Sequence, residues 1–147
     1  LIPNDDEVHG YDLRWHLDST ETVLDDKSGI FRSTDSGLPN LEIVPLLDTH
    51  DLKVRATSAR ESPEILGWDA FDPTAPKPAT TVRHLKTGRG RVTFVTLLVP
   101  LRPGVSYDWK SHSQTGDETW RVELADGRFL SLRIPADPGR DLAGNVD

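Results

Sequence analysis

The chain has 147 residues, enough for one domain whose core needs no staples, and its 35% hydrophobic and 28% charged content is that of a globular protein. The absence of cysteine excludes a disulfide framework, a thiolate metal site and a cysteine nucleophile. A net charge of −7 argues against nucleic acid and heparin-like polyanions as partners, because such binding rests on clustered Lys and Arg.

The chain begins with Leu1 and contains no Met, so it is expected to be a processed or excised piece of a longer parent. No apolar run is long enough to cross a bilayer as a helix. One basic patch interrupts the acidic background: Arg83, Lys86, Arg89 and Arg91 fall close together around a glycine turn.

In chain order, period-2 alternation dominates. In "YDLRWHL", Tyr11, Leu13, Trp15 and Leu17 face one way, and Asp12, Arg14 and His16 the other, the pattern of a half-buried strand in an antiparallel sheet. "DDKSG" is a turn, followed by a short strand at Ile30 to Ser33. "NLEIV" puts Leu41 and Ile43 on one face, and Pro45 limits the strand. "LKVRATSA" alternates again through Leu52, Val54 and Ala56.

From Arg60 to Ala79 the period vanishes into a proline-rich loop expected to lie over the core, with "SPEILGW" its only helix-like turn. "TTVRHLKT" and "RVTFVTLLVPL" then read as two strands joined by a hairpin at "GRG", the second apolar on both faces and therefore expected to be central in its sheet. "TWRVEL" and "RFLSLRI" are strands joined by Asp126-Gly127, which suits a type I′ turn. The expectation is an all-β fold, an antiparallel two-sheet β-sandwich over residues 1–135, with a frayed Gly/Pro/Asp-rich tail over 136–147.

The chemical candidates are few. His9 and His16 point to opposite faces of one strand, roughly 23 Å apart at the usual rise, and cannot share a metal. His50, His84 and His112 are scattered without ligand spacing, so no metal, no cofactor and no catalytic residue is assigned. No paired carboxylates, nucleophile elbow, P-loop or dinucleotide fingerprint is present. Trp15 and Trp120 share faces with aliphatic residues and read as core.

Trp68, in the proline-rich loop, either pins that loop to the sheet or offers a stacking face to a sugar ring. Trp109, read with Tyr107 as a loop aromatic, has the same two readings. His16 is either a solvated strand residue or lines a groove with Arg14 that accepts an anionic sugar. The candidate carbohydrate contacts are Arg14, His16, Trp68, His84 and Trp109.

The order of these features resembles the C-terminal β-sheet region of the heparinase II/III-like polysaccharide lyases. The likeness is carried by the strand His9, Tyr11, Leu13, Trp15, His16, Leu17, by Trp68 followed by Pro73, Pro76 and Pro78, and by "FVTLLVPL" from Phe94 to Leu101. It covers Val8 to Leu101. The strand departs from the pattern in continuing as "HLDST" where a proline is expected, and the last third carries no matching motif.

The resemblance implies a modular, secreted or periplasmic bacterial enzyme that pairs an α/α toroid domain with β-sheet domains. Such enzymes cleave uronic-acid polysaccharide by β-elimination, a Tyr or His removing the C5 proton while the carboxylate is neutralised. The residues that do so lie in the toroid or upstream of the matched region, and none maps onto this chain. The piece is then expected to be inactive alone and to supply packing, a cleft wall or sugar contacts. A carbohydrate-binding module with its own aromatic platform, and a purely structural assembly domain, are the competing readings.

Overall fold

The computed structural model describes residues 6–46, 52–69, 72, 74–116 and 118–134. The expected tail over 136–147, His50 and Pro73 lie outside these residues. No described residue is helical, and the chain is all-β. Its strands are β1 (Val8–Leu17), β2 (Thr22–Leu24), β3 (Phe31–Ser33), β4 (Asn40–Pro45), β5 (Leu52–Ser58), β6 (Trp68–Asp69), β7 (Lys77–Pro78), β8 (Thr80–Arg89), β9 (Thr96–Leu101), β10 (Trp109–Gln114), β11 (Thr119–Leu124) and β12 (Phe129–Arg133). They form two compact units, with the break between Val105 and Ser106.

The first unit is a sandwich of two antiparallel sheets, β1-β8-β5 and β2-β3-β4-β9, with a small β6-β7 ribbon. Alternation decides which residues meet between the sheets. Trp15, Val82 and Ala56 are cross-strand neighbours, as are Leu13, His84 and Val54. The facing sheet contributes Phe31 and Ile43, themselves paired across β3 and β4. Phe31, Ile43 and Val82 are fully buried, with Trp15, Leu17, Leu24, Leu41, Val54 and Ala56 packed around them. Burying a side chain such as Phe31 contributes roughly 2–3 kcal/mol. Trp15 is therefore part of this core, although one side of it remains accessible at the sandwich end.

Several sequence expectations are corrected. "GRG" does not close a hairpin: β8 pairs with β1 and β5, and β9 pairs with β4 in the other sheet. Gly90, with a positive φ of 65°, instead releases the chain from β8, and 91–95 connect the two sheets. The apolar run begins its strand only at Thr96, and β9 is an edge strand rather than a central one. Leu98 is accordingly 42% exposed, since a sheet edge has a neighbour on one side only. The long loop is not structureless, because it contains the β6-β7 ribbon and an isolated bridge between Arg60 and Leu66.

The second unit is the meander β10-β11-β12. Trp109 opens strand β10 rather than lying in a loop. Val122 is buried and Trp120 half-buried. The turn at Asp126-Gly127 is placed as expected but is not type I′, which needs positive φ at both central residues. Only Gly127 is left-handed, at 86°, and its N–H donates to Leu124 O (3.0 Å). That is a type I turn closed by a left-handed glycine.

Candidate functional site

The outer face of the β1-β8-β5 sheet carries the polar half of each alternating strand. The register lines up Arg14, Arg83 and Arg55 in one row across the three strands. Asp12, Leu85 and Lys53 form the next row on one side, and His16, Thr81 and Thr57 the next on the other. Like charges directly opposite each other on a sheet destabilise it by about 0.2–1 kcal/mol per pair. The fold offsets the repulsion with two carboxylates.

Asp12 accepts from Arg14 Nε (2.9 Å) and from Arg83 Nε (3.1 Å) and Nη2 (2.5 Å). Partial burial alone would raise its pKa, but the hydrogen bonds from Arg83 and Arg14 hold the carboxyl below its ordinary value. Glu64 reaches in from the loop, 2.7 Å from Arg14, 3.5 Å from Arg83 and 3.7 Å from Arg60. The hydrogen bonds that Arg14 donates to Asp12 and Glu64 raise its own pKa further.

The third arginine is treated differently. Arg55 is exposed and makes no ion pair with a described residue, and Lys53, two residues earlier on the same face, is equally open. Beside them is a depression of about 520 Å³ lined by Gly10, Asp12, Lys53, Leu85 and Thr87. Gly10 helps keep it open, since a Cβ there would meet nothing within 4 Å. Lys53, Arg55, Arg14 and Arg83 share this face with Asp12; Arg60 and Glu64 meet them from the loop, and toward His16 the lining turns acidic with Asp18, Asp69 and Asp72.

The loop is held against the same face by glycine chemistry. Gly67 N–H donates to Thr81 Oγ1 (3.1 Å), and Gly67 O accepts from Ala59 and Ala79 N–H, both at 2.9 Å. Its φ is +72°, and a Cβ would lie 2.5 Å from Thr57 O, so no other residue fits without displacement. Trp68 is half-buried, and its Nε1 donates to Arg60 O (3.3 Å), tying the indole into the loop.

The predicted contact residues are divided by this geometry. Arg14 and His16 do share the outer face, where His16 Nδ1 lies 3.2 Å from Thr81 Oγ1. His84 is on the opposite face, 1% exposed inside the sandwich, with Nδ1 3.4 Å from Thr96 Oγ1. Burial pushes its pKa down to about 4, and it is removed from the surface candidates because no ligand reaches it. Trp109 belongs to the second unit, where its ring centroid is 5.7 Å from that of Tyr107. The basic patch around the glycine turn splits as well, because Arg83 and Arg89 face one way and Lys86 the other.

Arg55, Lys53 and Glu64 went unnoticed in the sequence. The alternation in "LKVRATS" marks Arg55 as outward, but only the register sets it beside Arg83. Among the described residues no group of three His, Asp or Glu is arranged to hold a metal. No family model, curated protein or solved structure matches the chain.

Proposed function

We propose that this chain is a non-catalytic β-sandwich module that holds an acidic, uronate-bearing polysaccharide on the outer face of the β1-β8-β5 sheet, presenting it for β-elimination by an α/α toroid domain of the same secreted bacterial parent. The observation that supports it is the row Arg14, Arg83 and Arg55 with Lys53 beside it, a local excess of positive charge on a chain whose net charge is −7. Guanidinium groups match carboxylates with a planar fork of donors. Asp12 and Glu64 hold two of these forks in place, while Arg55 and Lys53 remain open to a ligand. The hydroxyls of Thr57 and Thr87 supply neutral polar groups along the same face.

The test is retention of the chain on immobilised alginate, heparan sulfate and chondroitin at low salt, with neutral dextran as control. Retention by the acidic polymers is expected, lost as salt rises, and weakened in Arg55→Ala and further in the Lys53→Ala, Arg55→Ala double variant. No retention at low salt sinks the proposal. Release of unsaturated uronate by the chain alone would overturn its non-catalytic part.

The Tyr107–Trp109 pair supports a second reading, a carbohydrate-binding module with an aromatic platform on the second unit. Under that reading Trp109→Ala abolishes sugar retention and Arg55→Ala leaves it unchanged.

A further inference from the structure

At the far end of β1 lies a second depression, of about 310 Å³, with a different lining. Its walls include Trp15, His16, Asp18, Ser19, Asp35 and Asn40. Asp18 is four residues beyond Arg14, about 13 Å along the strand. We propose that this depression is a binding site for a neutral, hydroxyl-rich ring, a single uncharged sugar residue, distinct from the arginine face.

Two features carry the proposal. Trp15 packs one side into the core but also lines the depression, and so presents aromatic surface to anything seated there. Indole surface suits the C–H face of a sugar ring, which is apolar and flat. The carboxylates of Asp18 and Asp35 form no ion pair among the described residues. They are strong acceptors for ring hydroxyls, and their charge turns away a uronate carboxylate.

The indole N–H of Trp15 is sealed from solvent without an acceptor among the described residues, and it serves as a reporter of this wall rather than as a ligand contact. The remaining polar groups already serve the fold. Asn40 Oδ1 accepts from Ser33 Oγ and from Asp35 N–H, both at 2.9 Å, and Asn40 Nδ2 donates to Asp35 O and Leu38 O, both at 3.1 Å. That network holds Asp35 in position at the rim. The lining volume is at the small end of ligand pockets, which fits one ring rather than several.

The proposal stands independently of the arginine face, and its experiment separates the two. The whole chain, labelled with ¹⁵N, is titrated with maltohexaose, cellohexaose and mannohexaose, then with alginate and chitosan hexamers. A neutral hexamer is expected to shift the backbone amides of Asp18, Ser19, Asp35 and Asn40 and the Trp15 indole N–H. Asp18→Asn and Asp35→Asn are each expected to weaken that binding about tenfold, with the far-UV spectrum unchanged. The proposal is overturned if no neutral hexamer moves these signals, if the alginate hexamer moves them equally, or if only the cationic chitosan hexamer does. Shifts confined to Lys53, Arg55 and Arg83 with alginate would support the arginine face while removing this site.

Discussion

The two faces of the β1-β8-β5 sheet are built from the same three strands, one residue out of step, yet they do different physical work. Inward, Trp15, Val82, Ala56 and Val54 meet Phe31 and Ile43, and even His84 is held neutral there. Outward, the same strands place three arginines in a row and leave one of them, Arg55, without an ion pair to a described residue. The inner face stores most of the folding energy because apolar area leaves water there. The outer face stores little, because exposed ion pairs are each worth about 0–1 kcal/mol. A face that contributes so little to stability is free to vary for binding.

Four experiments break or sharpen that contrast, from the largest effect to the smallest. Phe31→Ala empties the centre of the sandwich, where the ring is wholly buried, and is expected to cost about 3–5 kcal/mol in denaturant unfolding. A loss below about 1 kcal/mol would mean that the two sheets do not depend on this contact.

The second experiment is the pH dependence of unfolding. His84 takes up a proton near 6.5 when unfolded but only near 4 in the fold. Between those values the unfolded chain binds more protons, so stability falls as pH drops through the window, by at most about 3 kcal/mol. His84→Leu is expected to flatten the profile between pH 6.5 and 4. The carboxylates held low, Asp12, Asp25, Asp72 and Asp126, lose their contribution mainly as pH falls below their ordinary 3.8, so the upper part of this window belongs to His84. An unchanged profile in the variant would place the titrating group elsewhere.

Gly67→Ala is expected to cost about 1–3 kcal/mol, since the left-handed backbone and the 2.5 Å approach to Thr57 O both exclude a side chain. The damage should concentrate in the loop that carries Glu64, readable as faster amide exchange at Ala59, Arg60 and Ala79.

Glu64→Gln is the smallest and the most diagnostic. It removes the loop's carboxylate from Arg14, Arg83 and Arg60, with a stability change under about 1 kcal/mol. Retention on acidic polysaccharide should rise, because Glu64 is an internal competitor for the arginine row. A fall in retention would mean that Glu64 orients the arginines more than it competes for them.

How much of this was legible beforehand depends on the range of the interaction. The alternation of Tyr11 to Leu17 with Asp12 to His16 is written in neighbouring residues, and the structure separates those faces as read. The turn at Asp126-Gly127 was equally local, and only its type differed. The "GRG" segment misled because a glycine with positive φ serves a hairpin and a crossover alike, and nothing nearby says which strand comes next. His84 misled because one histidine in an alternating strand carries no mark of which face will be sealed. Its two cross-strand partners, Leu13 and Val54, are far away in sequence.

By itself, then, the amino-acid order determined that the chain is all-β, which residues alternate, and that no cysteine chemistry is available. The tertiary structure alone decided that Arg14, Arg83 and Arg55 stand side by side, that Glu64 reaches them, and that Trp15 shows one side to a depression. The physical reason is that side-chain direction follows from the pleat of a single strand, whereas neighbourhood follows from register. Register is chosen by the burial of the opposite face as a whole.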